Sequence, residues 1–222
     1  MCLPLALAAL LAAPASAIVG GRALLDASGC GACHSVGGKG GNAGPDLSFV
    51  GFRRPRPWLE AWLMNPQAVK PGTLMPHPGL SEGDRRGLLD YLESLKGADL
   101  PSGSRPWDAP AVAGDPVARG RVLFVKAGCV ACHGPQGRGG NPNPGAKGGR
   151  IPGLEKVSET YSEAELVDKV RRGSRPEKAD PAGLEPAVVM PAWGAVLDEA
   201  EIRAVAAYLL TLGGGQAKGE SW

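Results

Sequence analysis

The pattern Cys-x-x-Cys-His occurs twice in the chain, at positions 30–34 and 129–133. Two thiols at this spacing can form thioether bonds with the two vinyl groups of a haem, and the histidine that follows can ligate its iron. The sequence therefore predicts two covalently attached haem c groups. Their attachment residues would be Cys30, Cys33 and His34 in the first copy and Cys129, Cys132 and His133 in the second.

Two other chemistries use the same residue types. A structural zinc ion needs four ligands, and the four cysteines with the two histidines could form one shared site. A thioredoxin-like dithiol needs a βαβ context, and no convincing strand pattern surrounds either copy. Because each copy is also followed by a Met-Pro pair, we favour haem attachment.

Methionines supply the candidates for the second axial ligand of each iron. Met75 and Met190 lie at matching places in the two copies, each after apolar residues and before a proline. A lone methionine is more often a filler of apolar cores, but the duplication favours ligation. His77 is the alternative ligand for the first haem. Because its counterpart in the second copy is Ala192, the duplicated design favours methionine. We therefore expect His77 at the surface near the haem edge. Met64, in the apolar segment WLEAWLM, is predicted to be core.

The two copies extend beyond the cysteines and define tandem domains. Gly21-Arg22 matches Gly120-Arg121 at an offset of 99 residues, and GPDL from position 44 parallels IPGL from position 151. A repeat of this length is a duplicated domain and not a solenoid unit. We predict a signal peptide at 1–17, a first domain at 18–99, a turn-rich linker at 100–114, a second domain at 115–213 and a flexible tail at 214–222.

Capping signals predict that both domains are helical. Helix starts are indicated at Ser81, at Asp115-Pro116, at the Ser162/Glu165 capping box and at Asp198/Glu201, and another helix is expected over 57–63. The 34 glycines and 21 prolines lie mostly between these segments, where they predict long loops. The expected fold class is all-α, with a large apolar cofactor completing each sparse core.

The first seventeen residues predict export. They form an uncharged Leu/Ala run that ends in Ala15-Ser16-Ala17, a spacing that signal peptidase accepts. A membrane anchor is the alternative, but the segment is shorter than the ~20 residues that span a bilayer. We expect a periplasmic protein with no membrane span after cleavage.

The charge composition gives no support for nucleic-acid binding, because the 24 basic side chains are almost balanced by 22 acidic ones. Two basic groups could dock an acidic partner, form a solvated face or balance the propionates of the haems. Their members are Arg53, Arg54 and Arg56, and Arg171, Arg172, Arg175 and Lys178.

These motifs resemble class I cytochromes c, and the doubled arrangement is similar to the two-domain dihaem members of that family. The resemblance implies that the carbonyl oxygens of Pro45 and Pro152 accept the second ring N–H of each proximal histidine. It also implies that the first and last helices of each domain cross at a small residue and an aromatic one. The residues at these crossings would be Gly21, Leu25 and Tyr91, and Gly120, Phe124 and Tyr208.

The predicted ligand set favours electron transfer between respiratory or dehydrogenase partners over catalysis. Histidine and methionine together fill both axial positions of an iron and leave none for a substrate. The alternative is a dihaem enzyme of the peroxidase or thiosulfate-oxidising type, which needs one labile haem. An assembly subunit has no feature in its favour. The loop from histidine to methionine spans 41 positions in the first copy and 57 in the second, so unequal haem potentials are expected.

Overall fold

The all-α class predicted from the sequence is confirmed by the computed structural model, which describes residues 15–213. The first copy contains α1 (Ala15–Ala27), α2 (Val50–Arg53), α3 (Arg56–Met64), α4 (Pro66–Val69) and α5 (Glu82–Ser94). The rest of the described chain contains α6 (Pro110–Ala113), α7 (Pro116–Leu123), α8 (Val130–His133), α9 (Val157–Thr160), α10 (Glu163–Arg172) and α11 (Glu199–Thr211). Short 3-10 turns occur at Cys30–Ala32, Pro106–Asp108, Pro135–Gly137 and Trp193–Ala195, and a π-helical turn at Phe124–Gly128.

A short antiparallel hairpin follows the first Cys-x-x-Cys-His. Its strands are β1 (Ser35–Val36) and β2 (Lys39–Gly40), with Ser35 opposite Gly40. Two glycines at positive φ, Gly37 and Gly38, form its turn, a conformation that costs glycine little. Two-residue strands are too short to show an alternating pattern, so they cannot be predicted from the sequence.

Side-chain caps begin the long helices where the sequence predicts them. The Ser81 hydroxyl accepts the N–H of Asp84 at 3.1 Å, so α5 starts at the next residue, Glu82. The Asp115 carboxylate accepts two backbone N–H groups at the start of α7. Reciprocal capping boxes begin α10 at Ser162 and α11 at Asp198.

The first and last helices of each copy pack closely because a glycine lies where they meet. At Gly21 in α1, a Cβ atom would collide with Tyr91 of α5, and at Gly120 in α7 with Ala204 and Tyr208 of α11. In the second copy the rings of Phe124 and Tyr208 lie 5.4 Å apart between centroids. The helix crossings that the resemblance implies are therefore present.

Two apolar cores follow from these helix pairs. The first core contains Leu25, Leu59, Leu63, Leu88, Leu89, Tyr91 and Leu92 among its buried residues. The second core contains Leu123, Phe124, Leu166, Val170, Trp193, Ile202 and Tyr208. Phe49, from the first copy, is fully buried in the second core, so the two copies share an apolar interface.

The segment predicted as a linker packs against the second copy. Trp107 is fully buried there, and its indole N–H donates to Glu201 of α11 at 2.7 Å. Arg105 donates to both carboxylate oxygens of the same Glu201 at 2.7 Å. The interval 100–114 is therefore fixed in place by polar contacts as well as by apolar burial.

Both predicted terminal segments fall largely beyond the described residues. Of the predicted signal peptide, only Ala15–Ala17 is described, at the start of α1, and the predicted tail at 214–222 lies outside the described chain. Within residues 15–213, no helix combines the length and the apolar character that crossing a bilayer requires.

Candidate haem-attachment sites

The first Cys-x-x-Cys-His forms one tight turn that brings its three reactive side chains to one place. The backbone N–H groups of Cys33 and His34 both donate to the Cys30 carbonyl, at 3.2 and 2.9 Å. Cys30 packs against the first core, whereas Cys33 is exposed. Neither cysteine is in a disulfide among residues 15–213.

The ring of His34 is oriented by the loop that follows it. Its Nδ1 lies 2.8 Å from the Pro45 carbonyl oxygen, which can only accept, so Nδ1 carries the proton and donates. This tautomer leaves the lone pair on Nε2, the atom available to an iron. Gly44 allows the close approach, because a Cβ there would lie 2.5 Å from His34 Cε1.

The second Cys-x-x-Cys-His repeats this arrangement on a short helix, α8. The N–H of His133 donates to the Cys129 carbonyl at 2.9 Å, and its Nδ1 lies 3.4 Å from the Pro152 carbonyl oxygen. Burial lowers the pKa of His133, against a smaller opposite effect of the Pro152 carbonyl, and so favours the neutral imidazole that ligates metals. Burial raises the pKa of the Cys129 thiol to about 12.

In each copy, the predicted methionine ligand and the first cysteine of the motif pack against the same apolar core. Met75 and Cys30 pack against the first core, and Met190 and Cys129 against the second. Met75 also accepts a hydrogen bond at its sulfur from the indole N–H of Trp62, at 2.9 Å. Both predicted methionines are therefore partly buried against the core of their own copy.

The loop inserted in the second copy holds the segment that leads to Met190. Asn143 is buried and bonds Val188 twice, accepting its N–H and donating to its carbonyl, both at 2.9 Å. Met190 and Ser174 exchange two backbone hydrogen bonds at 2.9 and 3.0 Å. The insertion is thus tied by hydrogen bonds to the segment that carries Met190, although its sequence shows only turn residues.

Met64 does not lie where the sequence predicts, whereas His77 is at the surface, as expected. Met64 is 53% exposed, so its prediction as a core residue is wrong. It follows Leu63, which faces the core, and one residue along a helix turns the side chain by about 100°. His77 is exposed, and its Nδ1 accepts the N–H of Gly79 at 3.1 Å.

The first basic group is not a solvated face. Arg53 and Arg54 are only 5% and 7% exposed, so docking and solvation are wrong as roles for these two residues. Arg56 forms ion pairs with Asp90 and Glu93 at 2.6 and 2.9 Å. The group is therefore divided between two buried guanidinium groups and one that is neutralised within the first copy.

The second basic group is paired with neighbouring carboxylates. Its ion pairs are Arg171–Glu199 at 2.6 Å, Arg172–Asp168 at 2.9 Å, Arg175–Glu185 at 3.1 Å and Lys178–Glu185 at 3.2 Å. These contacts reduce the net positive charge that the group presents to a partner.

The residues present fit the haem group in their donor chemistry and in their charge. Within residues 15–213 no hydrogen bond occupies Nε2 of either histidine, and the methionine sulfurs add a soft second donor. Arg53 Nε and Arg54 Nη1 are buried and have no acceptor among the described residues, as expected beside an anionic group such as a carboxylate. Among the same residues, no group of three or more histidine, cysteine or acidic side chains is placed to hold a metal ion, as the shared zinc site would require.

Sequence comparison defines the family. The cytochrome c family model matches residues 18–96 and 117–213, one segment for each copy, so the chain belongs to the cytochrome c family. Members of this family bind haem c covalently.

Several curated relatives are named as oxidase subunits. Over 90% of its length, the chain is 28% identical to the cbb3-type cytochrome c oxidase subunit CcoP of an Azospirillum species. It is 30% identical, over 84% of its length, to the FixP subunit of Bradyrhizobium diazoefficiens. A shorter match, 40% identical over 34% of the chain, is to cytochrome c oxidase subunit 2 of Alkalihalophilus pseudofirmus.

The chain spans only part of these relatives. The matches cover 64% of the CcoP protein, 58% of the FixP protein and 25% of the oxidase subunit 2. No solved structure matches the chain.

Proposed function

We propose that the chain is a dihaem electron-transfer cytochrome. One haem c would be held by Cys30, Cys33, His34 and Met75, and the other by Cys129, Cys132, His133 and Met190. The observation that supports the proposal is twofold. In each copy an attachment cysteine and a methionine pack against the same apolar core, and the histidine of the same motif turns its Nδ1 toward a proline carbonyl.

The role of the protein residues is to hold and enclose the redox centre. A bound haem supplies an iron that gains and loses one electron. His34 and His133 present Nε2 because Pro45 and Pro152 accept from the opposite ring nitrogen. Met75 and Met190 would each supply a second protein ligand to an iron, which would exclude small ligands and favour the ferrous state.

We also propose a respiratory oxidase as the electron-transfer partner. The support is the set of relatives named as subunits of cbb3-type oxidases, which match across both copies of the repeat. Export to the periplasm is proposed from the apolar segment that ends in Ala15-Ser16-Ala17. The oxidase partner and the periplasmic location are proposed independently of how the haems are ligated.

The proposal is tested by optical redox titration of the holoprotein with and without carbon monoxide and cyanide. We expect two reversible one-electron transitions that neither ligand perturbs. Met75→Ala and Met190→Ala should each open one haem to carbon monoxide, whereas Met64→Ala, which removes an exposed methionine of the first copy, should leave both closed.

Two results would contradict this function. A haem of the unaltered protein that binds carbon monoxide readily would favour the dihaem enzyme, and assays with peroxide and thiosulfate would follow. If His77→Ala opens the first haem and Met75→Ala does not, His77 is the ligand and the assignment of Met75 is wrong.

A further inference from the structure

A segment of the first copy enters the core of the second. The ring of Phe49 lies 6.2 Å from that of Trp107 and 6.0 Å from that of Trp193, between centroids. Phe52 packs edge-on against Trp193 at 5.2 Å. We call residues 49–53 the interdomain wedge. Because Trp193 follows Met190 by three residues, the wedge lies close to the ligand segment of the second site.

Arg53 ends this wedge and joins the two attachment sites through backbone carbonyls. Its Nη2 donates at 2.7 Å to the carbonyl of Asp46, the residue after Pro45, whose carbonyl faces His34. Its Nη1 donates at 3.3 Å to the carbonyl of Gly128, the residue before Cys129. One buried guanidinium thus contacts a loop of the first site and the start of the second.

The Arg53 guanidinium lies so close to position 128 that only glycine fits there. Gly128 has a φ of 90°, and a Cβ atom on it would collide with the guanidinium of Arg53. The guanidinium is also close enough to Cys132 and Cys129 to interact with them electrostatically. Burial lowers the pKa of Arg53. A cation from the first copy therefore lies beside the attachment residues of the second.

We propose that Arg53 is a positioning residue through which the first domain sets the redox equilibrium of the second haem; the inference rests on the dihaem function proposed above. Reduction adds one electron to the haem and lowers its charge by one unit. A nearby cation with little solvent screening opposes the ferric state, so it favours the ferrous state and raises the reduction potential. The bond to Gly128 fixes that charge relative to Cys129.

The test is an optical redox titration of Arg53→Gln in a Met75→His background. Two histidine ligands lower the potential of the first haem relative to His/Met ligation, so the higher transition then belongs to the second haem. Loss of the Arg53 charge should shift that transition about tenfold toward the ferric state, a fall of about 59 mV for one electron.

Matched variants separate charge from packing. Arg56→Gln removes a charge three residues away whose ion pairs are with the first copy alone, and should shift the second haem by less than about twofold. Arg53→Lys retains the charge and should stay close to the unsubstituted protein. If Arg53→Gln does not fold, Arg53→Met supplies an apolar side chain of similar length for the same titration.

The outcomes distinguish failure of the proposed role of Arg53 from failure of the proposed dihaem function. An unchanged second transition in Arg53→Gln, or equal shifts in Arg53→Gln and Arg53→Lys, would overturn the role of the Arg53 charge while leaving the dihaem function intact. A Met75→His background in which neither transition moves would contradict the ligand assignment, and the inference with it.

Discussion

The indole N–H of Trp62 donates to the sulfur of Met75, with 2.9 Å between Nε1 and Sδ. Trp62 is itself held by Trp58, whose ring stacks on it at 5.0 Å between centroids and an interplanar angle of 12°. A thioether sulfur has two lone pairs, so one can accept this hydrogen bond while the other faces an iron. Trp62 therefore acts on the proposed ligand atom itself.

Replacing Trp62 should lower the potential of the first haem. The hydrogen bond withdraws electron density from the sulfur, which makes it a weaker donor to ferric iron, and hydrogen bonding around the ligands is one means of tuning a haem. We expect Trp62→Phe to shift the first transition about threefold toward the ferric state in a redox titration. Trp58→Phe removes an indole N–H that does not contact the sulfur and should have a smaller effect; equal shifts would contradict this role.

Gly44 controls how closely the loop approaches the proximal histidine. Because a Cβ there would lie 2.5 Å from His34 Cε1, Gly44→Ala must displace either the imidazole or the Pro45 carbonyl that faces it. We expect the free energy of unfolding to fall by about 1–3 kcal/mol, the usual cost of overpacking, and the ligand-field spectrum of the first haem to change.

Gly31→Ala is the control for that substitution. Gly31 lies between the two cysteines of the same motif, and a Cβ on it would meet nothing within 4 Å. Its spectrum and its unfolding curve in guanidinium chloride should match those of the unaltered protein. A Gly44→Ala protein that behaves like Gly31→Ala would show that the imidazole is not held by this contact.

The sequence predicts those parts of the molecule that depend on local signals. The capping residues Ser81, Asp115, Ser162 and Asp198 begin helices because each satisfies backbone N–H groups a few residues away. The duplication pairs Gly21 with Gly120, whereas their place at the helix crossings is implied by the resemblance to class I cytochromes c.

Local sequence signals do not predict long-range contacts. Arg53 has the sequence appearance of a surface cation, yet it is buried and donates to the Gly128 carbonyl of the second copy, 75 residues away. Asn143 lies in a Gly/Pro-rich loop, and its partner Val188 is 45 residues distant. Trp62 lies in the apolar segment WLEAWLM, which gives no indication of the hydrogen bond to Met75.

The buried Glu201 should be essential for the stability of the second copy. Its carboxylate receives hydrogen bonds from Arg105 and Trp107 and is 1% exposed. Glu201→Gln leaves the Arg105 guanidinium without its counter-charge, which for a buried pair costs about 3 kcal/mol or more. We expect that decrease in the free energy of unfolding, measured by far-ultraviolet circular dichroism in guanidinium chloride.

An exposed carboxylate on the same helix provides the comparison. Glu199 pairs with Arg171 at 2.6 Å, with both side chains more than 40% exposed. Glu199→Gln should therefore leave the free energy of unfolding almost unchanged. If the two glutamine variants unfold at the same denaturant concentration, Arg105 does not depend on Glu201 for its charge balance.

Asn143 should keep Met190 in place although the two residues are 47 positions apart. Its amide makes both hydrogen bonds to Val188, two residues before Met190, so Asn143→Ala leaves a buried N–H and a buried carbonyl unpaired. Each unpaired group costs about 1–3 kcal/mol, and release of the segment should let carbon monoxide reach the second haem. Asn42→Ala, at an exposed asparagine in the corresponding loop of the first copy, should leave both haems closed. An Asn143→Ala protein that is destabilised but still excludes carbon monoxide would show that the contacts of Met190 with Ser174 suffice to hold the ligand.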